Sequence, residues 1–215
     1  MSSVAREISS DPVLRARNLL CERDDRVLFR QLDLTLKSGE ALRVAGRNGS
    51  GKTTLMRGLV GLNIHLEGEV TWRQADATPW LYIGHRPGIS AHLTVLENLR
   101  FLARLRGLVP APADLERALS AVQLQHFDDS PGQQLSAGQQ RRVLLALLYL
   151  PQLPSCWVLD EPFTALDREG VQTLEAHLGA HCAAGGSLLF STHHEPQGFA
   201  HATVNLDDTT VESPA

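Results

Sequence analysis

The chain has 215 residues, of which 43% are hydrophobic and 20% are charged, and these values are typical of a globular protein. Its formal net charge of -4 argues against a nucleic-acid binder that works through a broad basic surface. The longest apolar run, 143–150, is far shorter than the roughly 18 residues that a membrane span needs. We therefore expect a soluble, intracellular, single-domain protein.

The first part of the chain is predicted to alternate strands with helices. Short apolar or alternating runs predict strands at four places, 32–36, 41–45, 70–72 and 81–83. A helix is expected to follow the second of these strands, from Lys52 to about Leu62.

The middle of the chain, from about residue 86 to residue 140, is predicted to be mainly helical. Thr94 and Glu97 match a capping box at the start of a helix, which we expect to end at Pro110 and Pro112. Apolar residues at helical spacing over 115–122 predict a second helix.

Two continuous apolar runs after the helical segment predict parallel strands covered on both faces, at 156–159 and 187–190, with a helix over 168–184 between them. The fold class is therefore predicted to be α/β, with a mainly parallel sheet core and an inserted helical subdomain over 86–140. One domain is expected to span 13–206, after a disordered N-terminus at 1–12 and before a flexible tail at 207–215.

The strand over 41–45 runs into a motif of the form G-x-x-x-x-G-K-[ST]. Glycines in such a loop let successive backbone N–H groups point at phosphate oxygens, and the helix that follows adds its positive N-terminal dipole. Lys52 supplies a charge for the β- and γ-phosphates, and the Thr53 hydroxyl is placed to ligate Mg²⁺. The predicted nucleotide-binding residues are Gly46, Arg47, Asn48, Gly49, Ser50, Gly51, Lys52, Thr53 and Thr54.

The strand over 156–159 ends in two carboxylates, Asp160 and Glu161. At the carboxyl end of a parallel strand they face the crevice where α/β folds bind ligands. Asp160 is predicted to hold Mg²⁺, and Glu161 is predicted to polarise the water that attacks the γ-phosphate.

A third motif, Leu135-Ser-Ala-Gly-Gln-Gln-Arg-Arg142, matches the start of a buried helix. Ser136 is a good N-cap, Gln139 completes a capping box, and Gly138 leaves room for a close backbone approach. The N-terminus of this helix would be a second anion site, which one nucleotide seldom needs. An ordinary capped core helix is the alternative.

The order of these motifs, followed by Ala165-Leu-Asp167 and Ser191-Thr-His193, resembles that of the ATP-binding-cassette (ABC) ATPases over residues 13–206. The resemblance implies that two cassettes pair head to tail and sandwich two ATP molecules. Ser136, Gly138 and Gln139 of one chain would then face the phosphate loop of the other. His193 would be the switch histidine that holds the γ-phosphate and the water, and Asp167 would connect the two sites.

Two positions depart from the usual ABC pattern. The position near Arg23 normally carries an aromatic residue that stacks on adenine, and either an arginine plane or Phe29 would have to replace it here. His85 stands where a glutamine usually joins the active site to the helical segment. Because histidine ligates Mg²⁺ only when it is neutral, His85 is a catalytic candidate that would make activity pH-sensitive.

Within the ABC family, four stretches resemble the cytochrome c maturation ATPases of the CcmA type: 18–24, 82–89, 135–143 and 159–165. The resemblance implies a cassette at the cytoplasmic face of the bacterial inner membrane, paired with an integral membrane permease. ATP hydrolysis would then serve haem delivery to periplasmic cytochrome c, with no nucleic-acid partner. The alternatives are another small ABC exporter and a soluble, non-transport cassette.

Two groups of charged or titratable side chains have a simpler interpretation. His177 and His181 lie four residues apart on a predicted helix, and without a third metal ligand we expect a solvated helix face. Arg100, Arg104 and Arg106 form either a solvated basic face or a contact with a membrane partner or anionic lipid.

Overall fold

Two β-sheets and a set of helices make up the fold of the computed structural model, which describes residues 12–23, 26–63, 65–73 and 80–209. The strands are, in chain order, β1 (Leu14–Arg23), β2 (Arg26–Leu36), β3 (Ala41–Ala45), β4 (Leu66–Trp72), β5 (Trp80–Ile83), β6 (Cys156–Asp160), β7 (Ser187–Ser191) and β8 (Ala202–Asn205). The α-helices are α1 (Lys52–Leu59), α2 (Val95–Arg104), α3 (Pro112–Ala121), α4 (Ala137–Leu145) and α5 (Arg168–Ala183). Among these described helices, none has the length and apolar character that a membrane crossing requires.

The larger sheet has five strands in the order β5-β6-β7-β3-β8, and each neighbouring pair is parallel. Its central strands β6 and β7 are buried at every residue, which explains their continuous apolar sequences. The carboxyl ends of parallel strands meet at one edge of a sheet. The segments that follow β3, β5, β6 and β7 are therefore brought together there.

The smaller sheet is antiparallel, with strand order β2-β1-β4, and β1 was missed by the sequence pattern. The pairing of β1 with β2 shifts register between Ala16 and Leu19 and again between Leu19 and Cys21. Asn18, which lies within the first irregularity, has φ 48°. Such irregularities break the alternation of buried and exposed residues on which sequence prediction depends.

Helix α2 ends earlier than the prolines suggested. It stops at Arg104, where Gly107 (φ 73°) donates to the Arg104 carbonyl and Leu108 donates to the Ala103 carbonyl. This arrangement is a Schellman C-cap, for which glycine is favoured. Pro112 instead begins α3, because the first turn of a helix tolerates a residue without an N–H.

Two hydrophobic clusters cover the two faces of the parallel sheet. One joins the sheet to α2, α3, α4 and α5, and the other joins it to α1 and the antiparallel sheet. Helices α2 to α4 therefore pack together on one side, between β5 and β6 in the chain. The boundaries predicted for this helical subdomain remain a prediction.

The predicted terminal segments lie mostly outside the described residues, which leave out 1–11 and 210–215. The predicted flexible tail begins at Asp207, but residues Leu206–Thr209 form a short 3₁₀ helix. Asp207 accepts hydrogen bonds from the backbone N (2.9 Å) and Nε (3.4 Å) of Arg47. Asp207 therefore belongs to the folded part of the chain, because it contacts the phosphate loop.

Candidate active site

The phosphate loop curls between β3 and α1. Gly46, Gly49 and Gly51 all have positive φ values, a backbone conformation that residues other than glycine adopt only with strain. Gly51 is the N-cap of α1, so the loop delivers its backbone to the positive end of that helix. The buried Lys52 donates to the carbonyls of Gly46 (2.8 Å) and Arg47 (3.1 Å), which draws its ammonium group across the loop.

The end of β6 places Asp160 beneath the cleft as a fully buried carboxylate. Its Oδ1 accepts a hydrogen bond of 2.7 Å from the Ser191 hydroxyl at the end of β7. Its Oδ2 is buried and has no hydrogen-bond partner in the structure. A buried carboxylate oxygen without a partner is costly, so this atom suits a bound cation. Asp160 also helps burial to raise the pKa of the neighbouring Tyr82 to about 12.

Glu161 turns out of β6 with φ 51°, a left-handed backbone conformation that is unusual for glutamate. Its backbone N–H donates to both the carbonyl and the hydroxyl of Ser191, at 3.1 Å each. Its Oε1 lies 3.3 Å from Nε2 of His193, and its Oε2 accepts from the His193 backbone N–H at 3.4 Å. Backbone strain held by neighbouring strands is typical of active sites.

These groups share one open cleft of about 640 Å³. It is lined by Arg23, Arg26, Leu28, Asn48, Gly49, Gly51, Lys52, Thr53, Thr54, His85, Glu161, Thr164 and His193. The structure thus brings the phosphate loop together with the three predicted catalytic residues. Gly46, Arg47 and Ser50 complete the loop next to the cleft, and Ser50 is buried with an unpartnered hydroxyl.

The third motif lies outside this cleft. Helix α4 begins with the predicted capping box, in which Ser136 Oγ accepts from the Gln139 N–H and Gln139 Oε1 accepts from the Ser136 N–H. Neither residue lines the cleft, nor do Gly138 and Asp167. Within one chain, the start of α4 therefore does not line the cleft that holds the phosphate loop.

Gly138 allows α4 to pack closely on the segment after β6. A Cβ at this position would lie 2.8 Å from the Ala165 carbonyl oxygen, so the close approach predicted for Gly138 is made within the chain. Asp167 caps α5 through the Gly170 N–H and accepts a hydrogen bond of 2.7 Å from Arg142 on α4. The hydrogen bond from the Gly170 N–H lowers the pKa of the Asp167 carboxyl, and the charge of Arg142 lowers it further.

Of the two candidates that the sequence offered for stacking on adenine, the structure removes Phe29. Phe29 is fully buried, and its ring lies within 3.2 Å of the Cβ position of Gly51, beneath the phosphate loop. Arg23 and Arg26 line the cleft instead. An arginine plane is therefore the better of the two predicted replacements for the missing aromatic residue.

Sequence reasoning missed Arg141, a buried residue of α4. Its guanidinium donates to backbone carbonyls at the end of β6 and just after β5 and β6, namely those of Gly84, His85, Asp160, Glu161 and Pro162. It therefore fixes the backbone on which His85 and Glu161 stand. The motif includes Arg141, but nothing in the linear sequence indicates that it points inward.

The expected solvated face of α5 is wrong at His177 and His181. The His177 ring stacks on Tyr149 (3.9 Å between centroids), and the His181 ring stacks on Trp157 (3.6 Å). Burial lowers the pKa of both imidazoles. Because the two histidines lie four residues apart, they share the face of α5 that packs on the aromatic rings of β6 and of the segment before it.

Arg106 is not part of the solvated basic face that was one of the two expectations for it. Its guanidinium donates to the Leu102 carbonyl at 2.8 Å and to the Tyr82 carbonyl at 3.4 Å, and burial lowers its pKa. Arg106 therefore joins the end of α2 to β5.

The arrangement of loop, strand ends and cleft matches a known family. A family model described as ABC transporter matches residues 29–164, which is more than half of the chain. This chain belongs to the ABC transporter family.

Relatives within the ABC transporter family are similar over most of their length. The cytochrome c biogenesis ATP-binding export protein CcmA of Pseudomonas syringae pv. tomato is 52% identical, covering 85% of this chain and 89% of that protein. The protein of the same name from Salmonella typhi is 47% identical, covering 90% and 96%. The predicted membership of the ABC family, close to the CcmA type, is confirmed.

Solved ABC structures confirm the predicted fold class. A putative ABC transporter ATP-binding protein from Pyrococcus furiosus superposes with a TM-score of 0.78 over 92% of this chain and 99% of that one, at 24% identity. An ATP-binding subunit of an ABC transporter superposes with a TM-score of 0.71 over 84% and 79%, at 26% identity.

Proposed function

We propose that this chain is the Mg²⁺-dependent ATPase subunit of a haem-export system that serves cytochrome c biogenesis. The observation that carries the proposal is the 52% identity to a CcmA protein over 85% of the chain. The cleft supports it, because the phosphate loop, Glu161 and His193 line it, and the buried Asp160 precedes Glu161 in the chain.

ATP is the substrate, and the chain's own groups bind its phosphates. The backbone N–H groups of the loop and the α1 N-terminus hold the phosphate chain, and the Lys52 ammonium turns from its carbonyl partners to the β- and γ-phosphates. Glu161 orients the attacking water for in-line displacement, and His193 holds that water and the γ-phosphate in place.

Mg²⁺ fits the residues present, because Asp160 Oδ2 is a buried oxygen without a partner. The Thr53 hydroxyl and Asp160 would hold it, and His85 is a further candidate from the edge of the cleft. When bound, the ion supplies positive charge that stabilises the phosphate oxygens in the transition state.

The working unit is a homodimer of cassettes. Ser136, Gly138 and Gln139 at the start of α4 lie outside the cleft of their own chain, so they are free to close over the cleft of a second copy. Asp167, fixed by Arg142 and the Gly170 N–H, would join the two sites. The cassettes would lie at the cytoplasmic face of the bacterial inner membrane, where they would pair with an integral membrane permease.

A gene deletion tests the proposed role. Cells that lack the chain should lose covalent haem on their c-type cytochromes, and the wild-type gene should restore it. Glu161→Gln should fail to restore it although the purified variant binds ATP, because the water is no longer activated. Normal cytochrome c in the deletion strain would refute the biogenesis role and leave the ATPase intact, as expected for a different exporter.

A further inference from the structure

The loop after β7 directs its side chains to separate parts of the fold. His193 faces Glu161 in the cleft, as described above. Glu195 forms an ion pair with Arg43 on β3, the strand that leads into the phosphate loop. Between them, His194 turns toward α5. Residues 192–198, here called the switch loop, are thus tied to several elements around the nucleotide site.

Glu175 on α5 is the centre of the contact between this helix and the switch loop. The residue is only 6% exposed, and its carboxylate receives three donors from the loop. Oε1 accepts from His194 Nε2 (2.7 Å) and from the Gln197 N–H (3.3 Å), and Oε2 accepts from the Gly198 N–H (2.9 Å). A Cβ on Gly198 would lie 2.8 Å from the Cβ of Glu175, so the loop needs glycine to approach this closely.

His194 is fixed on further sides. Its backbone N–H donates to Thr192 Oγ1 at 2.9 Å. Its ring lies 5.1 Å from that of Phe163, two residues after Glu161. A change in this ring's position would therefore disturb both the loop that carries His193 and the segment that carries Glu161.

We propose that Glu175 and His194 are positioning residues that hold the switch loop so that the His193 imidazole stays against Glu161. The inference rests on the roles proposed above for His193 and Glu161. Neither Glu175 nor His194 lines the cleft, so both act through the loop.

The pair should affect the hydrolysis step and leave ATP binding unchanged. Removing the Glu175 carboxylate leaves two backbone N–H groups and an imidazole without their acceptor, and the loop must shift to find others. A displacement of about 1 Å at a reacting group can cost as much as 100-fold in rate. ATP affinity comes mainly from the phosphate loop, which Glu175 does not contact.

The experiment measures kcat for ATP hydrolysis by the full-length chain in the membrane complex in which it works, together with its affinity for ATP. Glu175→Ala should lower kcat by about tenfold and leave the Kd for ATP within about twofold. His194→Phe keeps the ring against Phe163 but removes the donor, and it should lower kcat as much. Glu175→Gln should restore most of the rate, because its carbonyl oxygen can accept from the Gly198 N–H while its NH₂ group donates to Nε2 of the neutral His194.

Two comparisons separate positioning from a general loss of structure. Gln172→Ala, an exposed change on the same helix, should leave kcat unchanged. In single-turnover hydrolysis, Glu175→Ala should have almost no further effect in a His193→Ala background, since both changes remove the same contribution.

Several outcomes would overturn the inference. They are a kcat for Glu175→Ala within twofold of wild type, a parallel loss of ATP affinity, or a full additional loss in the His193→Ala background. If Glu175→Ala does not fold, His194→Phe decides by the same measurements. Wild-type activity of His193→Ala alone would instead refute the proposed role of His193, and the inference with it.

Discussion

A single buried guanidinium joins the ends of two strands beneath the active site. Arg141 is 3% exposed and donates to backbone carbonyls just after β5 and at the end of β6 and beyond it. Burial lowers its pKa to about 10, against the opposing attraction of Asp160 and Glu161, so it remains charged at neutral pH. Only arginine has five N–H donors in one planar group that stays positively charged at neutral pH.

Arg141→Lys should therefore destabilise the protein and lower ATP hydrolysis. Lysine has three donors, so some of the buried carbonyls lose their partner at a cost of about 1–3 kcal/mol each. We expect the free energy of unfolding in urea to fall by about 3 kcal/mol. Arg104→Lys, on the exposed side of α2, is the matched control. Equal stability of the two variants would show that the carbonyl contacts contribute little.

Helix α5 contacts the active-site segments near its start and middle, and β6 near its end. Its first residues are held by Asp167 and Arg142, and its middle holds the switch loop through Glu175. Near its end, His177 and His181 pack on Tyr149 and Trp157. His177 Nε2 lies 2.9 Å from the Leu148 carbonyl, and Nε2 of His181 is buried.

This half-buried histidine pair should make stability depend on pH. Because burial lowers the pKa of His177 and His181 in the folded chain, protonation favours the unfolded chain. Their contribution is complete above the usual histidine pKa of about 6.5 and is lost as the pH falls through the lower pKa of the folded state. Acid should therefore loosen α5 from the sheet.

His181→Phe keeps the aromatic stacking and removes the ionisable group. We expect the variant to lose less stability than wild type when the pH of a thermal or urea unfolding experiment is lowered from about 7.5 to about 5. His126→Gln, an exposed change, should leave the wild-type pH dependence as it is. If His181→Phe and wild type lost the same stability on acidification, His181 would not contribute to the pH dependence.

The molecule as a whole carries two predicted anion sites that one chain does not bring together. The start of α4 lies outside the cleft formed at the ends of β3, β5, β6 and β7. A head-to-tail pair satisfies this geometry, because each cleft then faces the α4 N-terminus of the other copy. The proposed dimer predicts how defects in the two sites combine.

Mixing two inactive variants should restore activity. Lys52→Ala disables the phosphate loop, and Ser136→Arg blocks the start of α4 while leaving that chain's own loop intact. In a mixed dimer one composite site contains no mutation. Random mixing should therefore recover up to roughly a quarter of the wild-type ATPase rate, since half of the dimers carry one intact site of two. Each variant alone serves as the control, and a mixture without activity would argue against sites shared between chains.

Local chemistry allowed much of the site to be predicted from the sequence. The glycines and Lys52 form a phosphate loop wherever a strand precedes them and a helix follows, and both flanking elements have clear patterns. The capping boxes at Thr94 and Ser136 depend on residues only three positions apart, and both are present in the structure. Family and fold class followed from the order of such motifs and are confirmed.

The amino-acid sequence by itself determined the local motifs, the strand–helix alternation and the family. Only the tertiary structure decided which face of a helix is buried and which distant groups meet. Arg141, Glu175 and His181 lie on helices whose linear patterns look ordinary, yet each contacts a partner 19 or more residues away. The irregular β1 escaped prediction for a related reason, because its pairing with β2 and β4 sets its register. Contacts of long sequence separation depend on how the sheets and helices pack, which no short window of sequence records.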